Sequence, residues 1–352
     1  MRRAQLFVAL CVVCLLATTA YAWFTARRTA QQQPQQAGVA AADAPASAAE
    51  LAAAMAVPHV VYLYSPTGDQ YRRVAIAPLD APDRQLLTPL QCQRVYASSD
   101  GGLCLGNNYV GGVTSAYNAY TFDRTFQPRF TFQQAGIPSR VRLSPSGKFG
   151  SMTLFVAGHS YADGAFSTAT TLVDTVSGET LANLEQFTVV GRDGGQMSAP
   201  DFNFWGVTFA ADNNRFFATL GSAGKTYLVE GDLAARRLAV MREGVECPSL
   251  SPDGTRLAFK QSVGGGLERA WRVAVLDLAT LQDVPLPGES HNIDDQIEWL
   301  DNNHVLYALP DEGPPATIAT HIWLASVDGS DEPRIFLRFA SSPAVVSAVT
   351  LS

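Results

Sequence analysis

Charge is what this chain has least of. Asp, Glu, Lys and Arg supply 16% of its 352 residues, against roughly 25% in ordinary soluble domains. No run of Lys or Arg is longer than two. Four arginines against Asp43 and Glu50 put the first 57 residues at +2, so a net charge of −7 leaves −9 on the remaining 295. An acidic body without a basic stripe lacks the electrostatic footprint of a nucleic-acid or anionic-lipid binder. The 28 Gly and 20 Pro are near average, which excludes collagen-like and wholly disordered chains. His59, His159, His291, His304 and His321 are scattered and form no H-x-x-x-H pair, so a zinc site has no helical spacing to stand on. A sustained helical period is also missing beyond Pro58.

One long apolar run is present. Arg2 and Arg3 precede an uncharged stretch at 4–26, and Arg27 and Arg28 close it. Its length suits a helix crossing about 30 Å of hydrocarbon and exceeds the roughly 7–15 residues of a signal h-region. Ala20-Tyr21-Ala22 nevertheless offers a signal-cleavage site. Two readings therefore stand for residues 1–28, a single-pass anchor or a signal cleaved near Ala22. Both deliver the body outside the cytoplasm. Residues 29–57 are rich in Gln, Ala and Pro with two charges, too little apolar surface to offset ordering entropy, so a flexible linker is expected. A short helix over 46–56 is the alternative that its Ala content leaves open.

From 58 to 352 the sequence reads as short β runs between turn residues. VVYLYS at 60–65, FFATLG at 216–221 and WRVAVLDL at 271–278 carry β-branched and aromatic residues, with Pro66-Thr67-Gly68 or Asp253-Gly254 beside them. That is strand and turn chemistry. The runs also repeat. Cys247 to Phe259 and Pro138 to Phe149 each read as a strand, a Ser-Pro-x-Gly turn and a second strand. Degenerate copies lie at 94–106, 206–220 and 296–309, and the aligned turn residues are Asp100, Ser146, Asp212, Asp253 and Asn302. Their separations are 46, 66, 41 and 49, close to the roughly 40–50 residues of a four-stranded propeller blade. Only the 66 needs an insertion, expected within 158–202.

The stretch Ser251-Pro252-Asp253-Gly254-Thr255-Arg256-Leu257-Ala258-Phe259 resembles the repeat of TolB-like six-bladed β-propellers. The resemblance covers about five repeats, is strongest at 138–150 and 247–260, and implies a fold rather than an activity. The separate N-terminal α/β domain of TolB finds no match in this sequence. Five units plus residues 58–91 make six blades. The first has three strands of its own (60–65, 71–79, 85–90), and the β-rich run 345–351 is expected to supply its missing inner strand. Closure of that kind removes open edges.

In a propeller, the residues just before each innermost strand meet around the axis. In successive units these are Arg94, Arg140, the Asp201–Trp205 segment with Asn203, then Glu246 and Asp294-Asp295. Two readings compete for them. One is a polar, aromatic-rimmed site for a protein or peptide ligand with Trp205 as a stacking platform. The other is a ring of ion pairs that satisfies charges near the axis. Loops at 106–119, 158–167, 221–226, 261–270 and 310–320 should decorate the same face.

Other motifs carry less. Gly158-His159-Ser160-Tyr161-Ala162 approaches a nucleophile elbow, but no helix pattern follows. Gly221 to Thr226 imitates a phosphate loop with two residues between its glycines where four are needed, and reads as a hairpin turn. Lactonase-like six-bladed enzymes place calcium in the central channel, which would fall to Asp294, Asp295 and Glu298 here. Strand alternation sets Glu298 away from the axis, so no cofactor is expected and calcium is the exception kept open. Cys92 and Cys104 flank a hairpin and are disulfide candidates in an oxidising compartment; the alternative is two buried thiols. Cys247 reads as a small core residue. The protein is thus read as an all-β, six-bladed, extracytoplasmic protein- or peptide-binding module at the cell envelope. Its rival is a metal-dependent hydrolase or lyase working in the channel.

Overall fold

Valine, isoleucine, threonine and aromatic residues set between turn clusters give antiparallel strands, and both faces of most strands are buried. The computed structural model describes residues 45–347 apart from 67, 111–112, 157–166, 266–268 and 312–318, together with Gln5. The stretch 4–26 (Gln5 excepted) and Ser160 therefore lie outside the described residues. Among the described residues no helix is long and apolar enough to cross a membrane. The protein divides into Met1–Ala40 and Ala41–Ser352, and the fold below belongs to the second unit.

Among the described residues the strands form six sheets. The first holds β1 (His59–Tyr64), β2 (Arg73–Pro78) and β3 (Leu86–Gln91). The second is β4 (Arg94–Ser98), β5 (Gly101–Val110), β6 (Val113–Asp123) and β7 (Pro128–Gln134). The third is β8 (Ile137–Leu143), β9 (Phe149–Val156), β10 (Ser167–Asp174) and β11 (Thr180–Asn183). An insertion with β12 (Thr188–Val190) and β13 (Gln196–Met197) comes next. The fourth sheet has β14 (Asn203–Phe209), β15 (Arg215–Ser222), β16 (Lys225–Asp232) and β17 (Arg237–Glu243). The fifth has β18 (Glu246–Leu250), β19 (Arg256–Val263), β20 (Ala270–Asp277) and β21 (Asp283–Pro285). The sixth has β22 (Glu298–Trp299), β23 (His304–Pro310), β24 (Thr320–Ser326) and β25 (Arg334–Leu337).

The last strand, β26 (Ala340–Val346), pairs antiparallel with β1, Val61 opposite Ala344. Both ends of the ring thus share one sheet, in the order β26-β1-β2-β3. The closing strand starts five residues before the expected run at 345–351, and 348–352 lie outside the described residues. Innermost strands touch in the sequence β26, β4, β8, β14, β18, β22 and back to β26. This is a closed six-bladed propeller. The 158–202 insertion sits at the fourth blade, where β12 pairs parallel with the outer strand β17, Thr188 opposite Arg237.

The low charge content follows from packing between blades. Alternate residues of a strand point to opposite faces, and here both faces meet a neighbour. Val61 and Leu63 of β1 join the apolar cluster shared with the second blade, while Val60 and Tyr62 join the one shared with the sixth. Phe217 and Leu228 meet Phe259 and Leu276 between the fourth and fifth. One such cluster separates each pair of neighbouring blades. The end of the Ala-rich segment folds as well. Helix α1 (Ala48–Met55) is started by a capping box between Ser47 and Glu50, and its buried Leu51 and Ala54 join the cluster of the first two blades. The Ala46 amide donates to Leu87 O at 2.8 Å, covering part of the outer strand β3. Cys92, between β3 and β4, is joined to Cys104 on β5 by a disulfide with Cα atoms 5.6 Å apart.

Turns after the first and third strands of each blade lie at one face of the ring. Asp212 Oδ1 accepts the amides of Asn214 and Arg215, and Asp301 Oδ1 those of Asn303 and His304. A second series, which the repeat pattern did not point to, caps the turns into the outer strands. Asp123 accepts from Thr125 and Gln127, Asp174 from Val176 and Ser177, Asp277 from Ala279 and Thr280, Asp328 from Ser330. Short polar side chains that bond the backbone two or three residues on are the ordinary chemistry of such turns. Much of the body's acidity is therefore turn structure.

Candidate functional site

The central channel is crossed by one polar network. Arg142 on β8 and Glu298 on β22 form an ion pair at 2.5 Å with side chains 7% and 5% exposed. Glu298 also accepts from the Tyr96 hydroxyl at 3.0 Å and from the Val345 amide at 3.0 Å. Arg142 donates further to Ser249 Oγ and to Ile297 O, and its guanidinium carbon lies 4.8 Å from the centre of the Tyr96 ring. Burial pushes the Glu298 carboxyl above its ordinary range, and Arg142, Val345 and Tyr96 draw it part of the way back. Glu298 thus faces the axis, against the orientation expected from strand alternation. The reason is local: 292–297 is irregular and β22 has only two residues, so no alternation carries in from upstream. Tyr96 and Arg142 line cavities on both sides of the network, which separates one mouth from the other.

On the face opposite the aspartate turns lies a cavity of about 930 Å³, walled by the second to fifth blades and Asp294. A smaller one of about 300 Å³ adjoins it, and the two share Arg94, Arg140 and Asp294. All eight residues read as the channel mouth line one or both. Their partners differ from the expected ion-pair ring. Asp294 takes Lys260 Nζ at 2.5 Å, and Glu246 takes Arg269 at 3.2 Å. Asp295 Oδ2 accepts the Ala308 amide at 3.2 Å. Asp201 accepts from Ser222 Oγ and the Ala223 amide; the Ala223 amide, with Ser222, holds it below the usual carboxylate range. Asn203 accepts the Thr168 amide and donates to Asp201 O, so Asp201 ties the β14 entry to the β15–β16 hairpin and Asn203 ties it to β10.

Arg94 and Arg140 stand apart. Among the described residues neither has a carboxylate within 4.0 Å. Arg94 donates to Ser139 O at 2.6 Å and Gln93 O at 2.8 Å, and Arg140 to Ser139 O at 3.0 Å. Burial, with Arg140 and Arg72 nearby, brings the Arg94 guanidinium down to about 10. The Nε of Arg140 and the Nε1 of Trp271 are buried without any hydrogen-bond partner.

The phosphate-loop look-alike is a two-residue hairpin turn, Ala223 and Gly224 at φ 51° and 72° between Ser222 and Lys225. Positive φ at both central residues is what such a turn requires. It forms part of the funnel wall. Trp205 lies against Gly221, where a Cβ would come within 2.7 Å of the indole. At the rim, Ile137 and Phe155 are opposite each other and 59% and 38% exposed. The expected calcium oxygens Asp294, Asp295 and Glu298 are engaged by Lys260, Ala308 and Arg142, and no group of three or more His, Cys, Asp or Glu able to hold a metal occurs among the described residues. Tyr96, Arg142, Lys260 and Trp271 were missed from sequence. Arg142 is two residues beyond Arg140 on one strand, a signal that both face the channel. Lys260 is opposite Glu246 across β18–β19, which only the register reveals.

No protein-family model matches the sequence, and no curated protein does. Likeness appears among solved structures. TolB from Acinetobacter baumannii superposes with a TM-score of 0.54 at 16% identity, over 82% of this chain and 66% of that one. The fold is a TolB-like propeller. A protein in a nidogen/laminin complex gives a TM-score of 0.52 at 9% identity, over 84% of this chain and all of that one. At such identities the likeness is one of fold, and this protein spans just under two thirds of the TolB length.

Proposed function

We propose that the propeller is an extracytoplasmic binding module whose funnel receives a peptide or a segment of another protein. One observation carries the reading: the Tyr96–Arg142–Glu298 network lies between two cavities of the channel. On the funnel side of that network the cavities open to about 930 Å³, with Ile137 and Phe155 exposed and apolar beside them. That volume lies in the range that holds a compact ligand or several side chains, and fold alone assigns no task. The apolar stretch at 4–26 and the Cys92–Cys104 disulfide support a place outside the cytoplasm, where disulfides persist. That stretch would tether the module to the membrane, or be removed near Ala22. The nidogen/laminin structure offers a precedent for a fold of this kind in an assembly of proteins. The rival, a metal-dependent hydrolase or lyase, has less support because the carboxylates it would use already have partners.

Selection of a random peptide display library on the immobilised full-length protein tests this. Selected peptides should bind at least about tenfold more weakly to Trp205→Ala and equally to Arg215→Ala, which lies on the opposite face. Peptides that bind Trp205→Ala unchanged but lose Arg215→Ala would overturn the assignment.

A further inference from the structure

We infer that Arg94 and Arg140 form a carboxylate-binding pair at the base of the funnel, specific for an acidic side chain or the C-terminal carboxylate of the bound segment. The inference rests on the funnel being the binding site and adds the chemistry it selects. Other charges in the channel are paired, Arg142 with Glu298, Lys260 with Asp294 and Glu246 with Arg269, while Arg72 beside them donates to Gln93 O. Arg94 donates only to main-chain carbonyls, and Arg140 to Ser139 O and the Cys247 side chain, so neither guanidinium bonds a carboxylate among the described residues. Leaving cationic groups partly buried without a counter-ion is costly, and a donor without any partner adds to that cost. Arg140 Nε is such a donor, and Trp271 Nε1 in the same cavity is another. A planar carboxylate accepts side-by-side N–H bonds from a guanidinium fork, which a neutral amide cannot match.

The surrounding charge favours one negative charge over two. Asp294 and Asp295 line the same region, and Asp294 is only partly neutralised by Lys260, being 62% exposed at its side chain. A phosphate dianion would be repelled by both. Burial first, then Arg140 and Arg72, lowers the proton affinity of Arg94, and Asp295 draws it partly back.

The test uses the full-length protein and two probes of one shape, benzoate and benzamide, titrated by ligand-observed NMR. Benzoate should bind at least about tenfold more tightly than benzamide. Arg140→Gln should weaken benzoate by about tenfold, Arg140→Lys by less, and Asp295→Asn should tighten it. The last two variants carry the test if Arg140→Gln fails to fold. Equal binding of the two probes, benzoate binding unchanged in a folded Arg140→Gln, or inorganic phosphate outcompeting benzoate would each overturn the inference. A peptide selected on the funnel, compared as free acid and C-terminal amide, then separates the sources. Loss on amidation points to a peptide terminus, and loss on Asp/Glu→Asn/Gln substitution within the peptide points to a side chain. Peptides that bind the funnel without either dependence sink the carboxylate pair and leave the peptide site standing. Benzoate binding that follows Arg140, with no peptide selected, does the reverse.

Discussion

On the turn face of the ring, Asp123, Asp174, Asp212, Asp277, Asp301 and Asp328 each accept main-chain amides of their own turn. On the funnel face, Arg94 and Arg140 bond carbonyls and, for Arg140, the Cys247 side chain, with no carboxylate within 4.0 Å among the described residues. The first group satisfies itself within three or four residues. The second depends on strands from different blades and on whatever enters the mouth. Local satisfaction makes the turn face structural; its absence makes the funnel face a candidate for recognition. Between them, the Arg142–Glu298 pair is satisfied across blades and belongs to stability.

The largest effect on this contrast should come from removing β26. Deletion of 340–352 takes the inner strand from the first blade and opens the ring, so cooperative thermal unfolding should be lost. An unchanged cooperative melt would mean that the ring does not depend on its closing strand. Next is the partition between the faces. Glu298→Gln leaves Arg142 buried without a counter-charge and should cost about 3–5 kcal/mol in denaturant unfolding. The double variant Arg142→Met, Glu298→Leu should recover most of that loss, and a double variant no better than the single would show that packing, not charge, holds the partition.

The turn face should answer more weakly. Asp253→Ala removes acceptors for Ser251 Oγ, the Thr255 amide and the Thr255 hydroxyl. In an exposed turn the loss should be about 1 kcal/mol, with peptide and benzoate binding unchanged. A binding defect in that folded variant would break the division between faces. Acid gives a smaller, collective effect. Asp123, Asp253 and Asp277 are held below the ordinary carboxylate range, chiefly by bonds from the Thr125 side chain, the Ser251 side chain and the Thr280 amide. A carboxyl lowered in the folded state contributes stability above its unfolded value and loses it as pH falls through the folded one. Melting temperature should therefore begin to fall below about pH 4, and a flat profile down to pH 2 would show that these turns add nothing.

Much of the ring was legible because its signals are local. Ser144-Pro145-Ser146-Gly147 and Ser251-Pro252-Asp253-Gly254 mark turns that strands must flank, and the 66-residue interval located the inserted β12 and β13. The aspartates of the outer turns were equally local and were passed over because the copies around them differ. Which charge meets which was not legible. Arg140 and Arg142 are alike in sequence, yet one lies in the funnel and the other in the partition, because depth along β8 decides which blade lies opposite. Lys260 entered the site through register, and Glu298 turned inward because β22 is too short to carry an alternation.

By itself the sequence determined an all-β protein of repeated blades with little charge, since strand period, turn residues and composition act over a few neighbours. Tertiary structure alone decided where the ring closes, that Tyr96, Arg142 and Glu298 form one network across the channel, and that among the described residues Arg94 and Arg140 have no carboxylate within 4.0 Å. Those outcomes depend on distances between blades, which the sequence spacing does not encode.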